Sequence, residues 1–368
     1  MRFRVLRAEG AERDEWRSLV LSLPPELRDI HFLPGYGQIY RSTYGHVPYL
    51  AVLDHHDAIV LQPFVVRSIN ELPFLRESDV PSYFDIANAY GFGGPLYVSG
   101  ASAGQVDLVD EFERNFVDYC RGHGFASEFT ILHPLLLNHR ILEGRPDVAL
   151  HQEKPLVAIS LAGGPAVIWS GLSRGQKSSV NRAKRAGVQV RNEDVNAENL
   201  GIFERLYLRT MRRHGAAERW YFPDDYFANC LNELGSHHVS LFFARVGDQV
   251  AAAHMVLHGF NTAYYHFGGS DENYHECHAG SLLIYETAIW ASEQRYQHYF
   301  LGGGVTSASD DKLFRFKAGF SKKPLRLFSY GRVMNAEVYE ELARLKRSYE
   351  LRHEGRVSDS NYFPIYRR

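Results

Sequence analysis

The chain has 368 residues, 45% of them hydrophobic and 23% charged, and a formal net charge of −2 at pH 7. This length suits two globular domains. No apolar run approaches the roughly 20 residues of a membrane helix, and the first residues lack the apolar core of a secretory signal. The three cysteines lie far apart, at positions 120, 230 and 277. We therefore expect a cytoplasmic protein with no metal site and no tightly bound cofactor.

Charge is divided unevenly along the chain. Residues 1–150 hold 13 Arg, no Lys and 20 acidic residues, a balance of −7. Residues 151–368 hold 28 basic and 23 acidic residues, a balance of +5. This asymmetry indicates that a polyanionic ligand would meet the second half.

The first half alternates helical and extended patterns. Hydrophobic periodicity and turn residues predict two helices, at 12–21 and 106–121, and three strands, at 49–53, 58–66 and 125–132. A glycine-rich loop at 90–97 carries Tyr90 and Tyr97. These two aromatic residues either line a ligand pocket or pack within a rigid loop.

The second half repeats this alternation. The patterns predict helices at 166–187, 199–214, 224–234, 281–297 and 336–351, and strands at 156–161, 188–190, 240–246, 250–258, 261–269, 299–301 and 326–334. The two halves share a rough order of helix, strand hairpin, further helix and glycine-bearing segment. A weak internal duplication would explain this order.

The predicted helix at 166–187 is strongly amphipathic. Its apolar side carries Leu172, Gln176, Val180 and Ala183, and the opposite side carries five cations: Arg174, Lys177, Arg182, Lys184 and Arg185. No acidic residue lies between positions 160 and 191. This face is either a binding surface for phosphates or a solvated basic face, and the sequence favours neither interpretation.

Residues 299–320 are the most informative stretch. The end of a predicted strand is followed by Gly302, Gly303 and Gly304, then by a polar loop and a short amphipathic turn that carries Lys317. Three glycines let the backbone adopt positive φ and lie close to another molecule. A lysine flanked by phenylalanines suits acyl or phosphate chemistry. The alternative is an ordinary glycine-rich turn with a surface lysine, since neither phosphate-loop nor dinucleotide-binding glycine spacing is present.

Taken in chain order, these segments resemble the FemABX-like acyltransferases, a branch of the GNAT-like fold. The resemblance covers roughly residues 30–330. It is carried by the segments 90–96, 169–188, 267–271, 301–304 and 314–320.

The resemblance implies an α+β fold with two tandem GNAT-like domains, at 1–153 and 154–368, and a cleft between them. Each domain would hold a mixed, mostly antiparallel sheet flanked by helices. It also implies an aminoacyltransferase that moves an aminoacyl group from aminoacyl-tRNA to an amine of a peptide-like or cell-wall precursor, as in peptidoglycan side-chain extension.

The same resemblance assigns provisional roles to individual residues. Lys317 and Phe316 match the family's Phe-Lys pair and are the expected catalytic residues. The donor would be bound by Arg182, Lys184, Arg185, Gly302, Gly303 and Gly304, and the acceptor by Tyr90, Tyr97 and Arg315. Asp310 or Asp311 could accept a proton, although a flexible acidic loop is the favoured interpretation.

Two alternatives stay open. One is an acetyl-CoA-dependent N-acetyltransferase of a small molecule or sugar precursor, because residues 191–206 leave no room for the long helical arm that cell-wall members often carry. The usual GNAT pyrophosphate loop is not evident, which favours tRNA as donor. The other alternative is a non-catalytic GNAT-like binding protein.

Overall fold

The chain forms two compact units. The computed structural model describes residues 1–76, 81–99, 105–145, 148–306, 310–357 and 362–367, without the side chains of 105–107. The first unit contains residues 1–27, 31–153 and 327–368, and the second contains residues 28–30 and 154–326.

The first unit is built on one mixed sheet. Its elements up to residue 152 are β1 (Arg2–Arg7), α1 (Gly10–Ser22), α2 (Pro34–Tyr44), β2 (Val47–His55), β3 (Ala58–Ser68), β4 (Phe84–Ala87), β5 (Leu96–Val98), α3 (Gln105–Gly122), β6 (Phe125–Ile131) and β7 (Leu150–Gln152). The pairs β1–β2, β2–β3, β3–β4 and β3–β5 are antiparallel, and β4–β6 is parallel. Helix α3 buries Phe112, Phe116 and Cys120 against this sheet.

The second unit holds the other mixed sheet. Its elements are β8 (Leu156–Ser160), α4 (Gly164–Gly171), α5 (Arg174–Arg185), β9 (Gln189–Glu193), α6 (Ala197–Arg213), α7 (Tyr226–Leu234), β10 (Val239–Val246), β11 (Gln249–Gly259), β12 (Thr262–Ser270), α8 (Ala279–Glu293), β13 (His298–Gly302), α9 (Lys312–Ala318) and β14 (Pro324–Leu325). The strand order is β14-β8-β13-β12-β11-β10-β9. Among the described strands of this sheet, β12–β13 is the only parallel pair.

The chain ends in the first unit. Strand β15 (Phe328–Val333) lies between β6 and β7, and helix α10 (Ala336–Glu354) follows it. Our predicted second domain, 154–368, therefore differs from the structure, which places residues 327–368 with the first unit. The physical reason is strand pairing, because β15 hydrogen-bonds only with first-unit strands within the described chain. The single strand predicted at 326–334 is also two strands, β14 and β15, one in each unit.

The two sheets share a local topology. In each unit an antiparallel meander leads through a helix to a strand that pairs in parallel with the last strand of the meander, by way of α3 in the first unit and α8 in the second. The predicted α+β class, with two mixed and mostly antiparallel sheets flanked by helices, is confirmed. Within the described residues, no helix has both the length and the apolar character needed to cross a membrane.

The helix predicted at 166–187 is wrong as a single element. The chain breaks into α4 and α5 because Leu172 takes an extended conformation, with φ −68° and ψ 142°. Ser173 then caps α5, its side chain accepting a hydrogen bond from the backbone N–H of Gln176 at 3.2 Å. The backbone N–H of Ser173 donates to the carbonyl of Gly319 at 2.8 Å. The break therefore ties the start of the basic helix to the end of α9.

Candidate active site

Strands β12 and β13 part in the middle of the second sheet. Their parallel pairing ends at Tyr264 and Phe300, although β12 continues to Ser270 and β13 to Gly302. The side chain of Lys317 lies where they part. Its Nζ donates a hydrogen bond to the carbonyl of Gly303 at 3.0 Å and lies 5.2 Å from the ring centroid of Tyr265. Tyr265, the first residue of β12 beyond the paired segment, and Gly303, just past the end of β13, thus contact the same ammonium.

Lys317 is buried, with only 7% of its surface exposed. The pKa of its ammonium is lowered from 10.5 to about 8, chiefly by burial, since a charge is poorly solvated there. The positive charge of Lys154 lowers this pKa further, and the carboxylate of Asp311 opposes the shift. Lys317 is therefore a cation in a low-dielectric setting, where its field acts strongly on a neighbouring charge.

The three glycines allow this turn to pack closely. Gly302 has φ +76°, a conformation that strains residues with a side chain. A Cβ on Gly303 would lie 3.0 Å from Cδ2 of Leu156, and one on Gly304 would lie 2.3 Å from Oδ1 of Asp311. The space beside Gly303 and Gly304 is thus already filled by the protein, so part of the need for glycine here is structural.

Asp311 is a structural cap. Its carboxylate accepts hydrogen bonds from the backbone N–H groups of Phe314 and Thr306, both at 2.8 Å, and from the Thr306 hydroxyl at 3.1 Å. Partial burial raises the pKa of this carboxyl, but the hydrogen bonds outweigh burial and the pKa is lowered. A carboxylate held in this way is a poor proton acceptor. Asp310 is exposed, and the predicted polar loop at 306–311 includes 307–309, which lie outside the described residues.

Phe316 and Arg315 flank the lysine differently. Phe316 is half-buried and packs edge-on against Phe320, with ring centroids 5.5 Å apart. Its carbonyl accepts a hydrogen bond from Nε2 of Gln176 at 3.0 Å. Arg315 points to the exposed side of α9. Phe316 therefore helps to fix the helix that carries Lys317, whereas Arg315 is accessible to a ligand.

The basic helix α5 starts beside α9 and carries the three cations predicted to bind the donor in its last turn. Arg182, Lys184 and Arg185 are all exposed. Lys184 forms an ion pair with Glu286 at 2.9 Å. Arg182 lies nine residues after the cap, which corresponds to about 13 Å along the helix axis. In the described chain, neither Arg182 nor Arg185 forms an ion pair.

The two predicted acceptor tyrosines belong to the first unit. Tyr90 is 44% exposed, and its carbonyl accepts a hydrogen bond from the hydroxyl of Tyr36. Tyr97, in β5, is half-buried and packs against the first unit's core. The Tyr97 hydroxyl is buried without a hydrogen-bond partner in the described part of the chain. Tyr97 therefore acts at least partly as a packing residue.

Sequence reasoning missed two residues of the site. Tyr265 contacts the ammonium of Lys317, and Lys154 donates a hydrogen bond from Nζ to the carbonyl of Gly304 at 2.6 Å. Lys154 precedes a predicted strand and carries no motif, so nothing local identified it. The cap at Asp311 had a usable signal, since an acidic residue directly before an amphipathic run is a common helix start.

Comparisons with known proteins match this part of the chain in sequence. A family described as "Acetyltransferase (GNAT) domain" matches residues 174–318, from the start of α5 to the end of α9. The UDP-N-acetylmuramoylpentapeptide-lysine N(6)-alanyltransferase of Weissella viridescens is 29% identical over 171 residues, which are 46% of this chain and 49% of the relative. The chain thus matches about half the length of that curated relative.

Solved structures extend the likeness over both units. The crystal structure of FemX is similar with a TM-score of 0.66 and 13% identity, covering 93% of this chain and 99% of that one. The structure of L-PGS from Bacillus licheniformis gives a TM-score of 0.51 and 10% identity, covering 89% and 93%. These likenesses concern the fold. Together with the matched domain, they show that the second unit resembles a GNAT domain and that the chain shares its fold with FemX.

Proposed function

We propose that the protein is an acyltransferase that forms an amide bond. It moves an aminoacyl group from aminoacyl-tRNA to an amine of a peptide-like or cell-wall precursor. The observation that carries this proposal is the buried ammonium of Lys317 at the point where β12 and β13 part. The relative from Weissella viridescens supports the choice of acceptor, because its name describes alanine transfer to N6 of a lysine in UDP-N-acetylmuramoylpentapeptide.

The proposed chemistry needs a cation where negative charge develops. A neutral amine attacks the ester carbonyl, and the carbonyl oxygen becomes an oxyanion. Collapse of this intermediate breaks the bond to the ribose oxygen, which leaves as a hydroxyl with the proton that the amine loses. The ammonium of Lys317 stabilises the oxyanion. A Cβ on Gly302 would lie 3.7 Å from Nζ of Lys317, so its absence leaves room for the acyl group next to the charge. Backbone N–H groups of Gly302, Gly303 and Gly304 are additional donors in this scheme.

The donor's phosphates are bound by α5 in this proposal. Arg182 and Arg185 are exposed and contribute most, whereas Lys184 shares its charge with Glu286. The cap at Ser173 couples this helix to the one that carries Lys317. Arg315, Tyr90 and Tyr97 stay proposed contacts of the acceptor. A reducing cytoplasmic setting belongs to the same proposal, because all three cysteines are free.

Acetyl-CoA is the second candidate donor. The specific support for it is the description of the matched family as an acetyltransferase domain. The two donors predict different products, since aminoacyl transfer adds an amino acid residue to the acceptor and acetyl transfer adds an acetyl group.

The test is a donor competition with the full chain. The protein is incubated with UDP-N-acetylmuramoylpentapeptide and either a pool of aminoacyl-tRNAs or acetyl-CoA, and the product mass is read by mass spectrometry. We expect a product heavier than the acceptor by one amino acid residue. This product should no longer form when the aminoacyl-tRNA is treated with ribonuclease beforehand. A product formed only from acetyl-CoA would favour the second donor. No product from either would favour a binding protein.

A further inference from the structure

Two lysines approach successive carbonyls of the same turn. Nζ of Lys317 donates to the carbonyl of Gly303 at 3.0 Å, and Nζ of Lys154 donates to the carbonyl of Gly304 at 2.6 Å. A Cβ on Gly303 would lie 3.4 Å from Cε of Lys154, so the turn also packs against the lysine stem. Lys154 comes from the segment just before β8 and Lys317 from α9. Two elements far apart in sequence thus bring like charges to one short segment.

The charges around Lys317 do not balance. The groups that face its ammonium are Lys154, from the segment before β8, Asp311, at the start of α9, and the ring of Tyr265, from β12. Asp311 is the only anion among them, and its oxygens already accept hydrogen bonds from Phe314 and Thr306. Burial of the ammonium and the nearby charge of Lys154 act in the same direction on its proton affinity.

We propose that Lys154 is a positioning residue of this site, which holds the Gly304 carbonyl and places a like charge beside Lys317 so that the Lys317 ammonium becomes a stronger hydrogen-bond donor. An ammonium that releases its proton more readily donates a stronger hydrogen bond to an oxyanion. The effect on transfer rests on the proposed function. The effect on the proton affinity of Lys317 does not, and can be measured without any substrate.

The first experiment titrates Lys317 directly. The chain contains eight lysines, so selective labelling of lysine with ¹³C and ¹⁵N gives few signals, and Lys317→Arg assigns the one of interest. In the full-length wild-type protein we expect this signal to titrate well below 10.5. In Lys154→Met we expect the midpoint to rise by about one pH unit, because the like charge is gone. Lys154→Arg, which keeps the charge, should leave the midpoint low.

A matched control separates this effect from general loss of charge. Lys322 is exposed and follows α9 closely in sequence. Lys322→Met should leave the Lys317 midpoint unchanged. The inference is overturned if wild-type Lys317 titrates near 10.5, or if Lys154→Met, still folded by circular dichroism, leaves the midpoint where it was. If Lys154→Met does not fold, Lys154→Gln supplies the uncharged variant, and an unshifted midpoint in that protein overturns the inference in the same way.

The second experiment reads the consequence for turnover. With the donor found as above, the pH–rate profile of Lys154→Met should show its alkaline limb shifted to higher pH by the same interval as the Lys317 midpoint. Lys154→Arg should restore the wild-type profile. A lower rate with an unshifted limb would mean that Lys154 merely supports the fold. A shifted Lys317 midpoint with no turnover in any variant would contradict the proposed function and leave the lysine coupling intact.

Discussion

A side chain at position 304 would overlap the carboxylate of Asp311. A Cβ on Gly304 would fall 2.3 Å from Oδ1 and 2.5 Å from Cγ of Asp311. The same carboxylate caps α9, the helix that carries Lys317. The third glycine therefore allows the cap to form, and the cap fixes the lysine.

This relationship predicts the effect of adding one methyl group. Gly304→Ala should push the Asp311 carboxylate out of its cap and lower the free energy of unfolding by about 1–3 kcal/mol, the usual range for overpacking. Denaturant unfolding of the purified variant measures this. Gly280→Ala is the matched control, because a Cβ there meets nothing within 4 Å inside helix α8. Equal stabilities of the two variants would show that Gly304 is not crowded.

The buried lysine should make stability depend on pH. The pKa of Lys317 is about 8 in the folded protein and 10.5 when unperturbed. Between these values the unfolded chain binds more protons, so the Lys317 contribution to the free energy of unfolding rises with pH from about 8 to 10.5. The full difference is roughly 3 kcal/mol. Below pH 8 the folded protein carries the whole cost of burying the charge.

The measurement compares wild type with Lys317→Met across that window. Unfolding free energies are determined at several pH values for both proteins, because tyrosines and cysteines of the unfolded chain also titrate in this range and their contributions cancel in the difference. We expect the free energy of unfolding of wild type to increase relative to that of the variant as the pH rises from 8 to 10.5. A difference that is flat with pH would mean that the Lys317 ammonium is solvated as in the unfolded chain.

The basic face of α5 predicts salt-sensitive donor binding. Arg182→Ala combined with Arg185→Ala should weaken binding of aminoacyl-tRNA and reduce the slope of log Kd against log salt by about one to two. Arg191→Ala combined with Arg212→Ala removes the same charge from exposed positions elsewhere in the second unit. If both double variants lower the slope equally, α5 binds the donor no more specifically than any other basic surface.

The sequence predicted most elements because their patterns are local. Helical spacing identified α3 and α6, and the hairpin turn at Gly247 and Asp248 identified β10 and β11. The pairing of β15 with β6 was not predictable in this way, since about 200 residues separate the partners and the choice of neighbour depends on packing. The break at Leu172 was missed because the backbone N–H of Ser173, the next residue, is bound by the Gly319 carbonyl, which lies about 150 residues further along the chain.

The residues of the site were likewise predictable only where their pattern is local. Lys317, Phe316 and the three glycines lie in one short segment, and their pattern was visible. Lys154 and Tyr265 contact that segment only through the folded sheet. Periodicity carries no information about such contacts, so these two residues needed the structure.

The last described residues give a further example of contacts that the sequence does not predict. Terminal residues are commonly loosely held, but Tyr366 is 1% exposed, and its hydroxyl lies 2.6 Å from Oγ of Ser127. Arg367 donates from Nε and Nη2 to the buried carboxylate of Asp85, at 2.5 and 2.9 Å. This ion pair joins the end of the chain to β4, where no sequence pattern links the two.

We therefore predict that this pair stabilises the first unit. Arg367→Met leaves Asp85 paired with Arg67 and should lower the free energy of unfolding by about 1.5–3 kcal/mol, the usual worth of hydrogen bonds to a charged group. Thermal or denaturant unfolding measures it. Arg356→Met, at an exposed position past the end of α10, is the control and should change stability little. An equally small effect of Arg367→Met would contradict the anchoring role.

The most direct test of the account is the single-turnover rate of transfer by Lys317→Met. We expect a loss of about 10²–10³-fold, the usual effect of removing one stabiliser of an oxyanion, with donor affinity and circular dichroism unchanged. Lys322→Met serves as the control and should transfer at the wild-type rate. A Lys317→Met protein that transfers within about twofold of wild type would contradict the claim that this buried ammonium carries the chemistry.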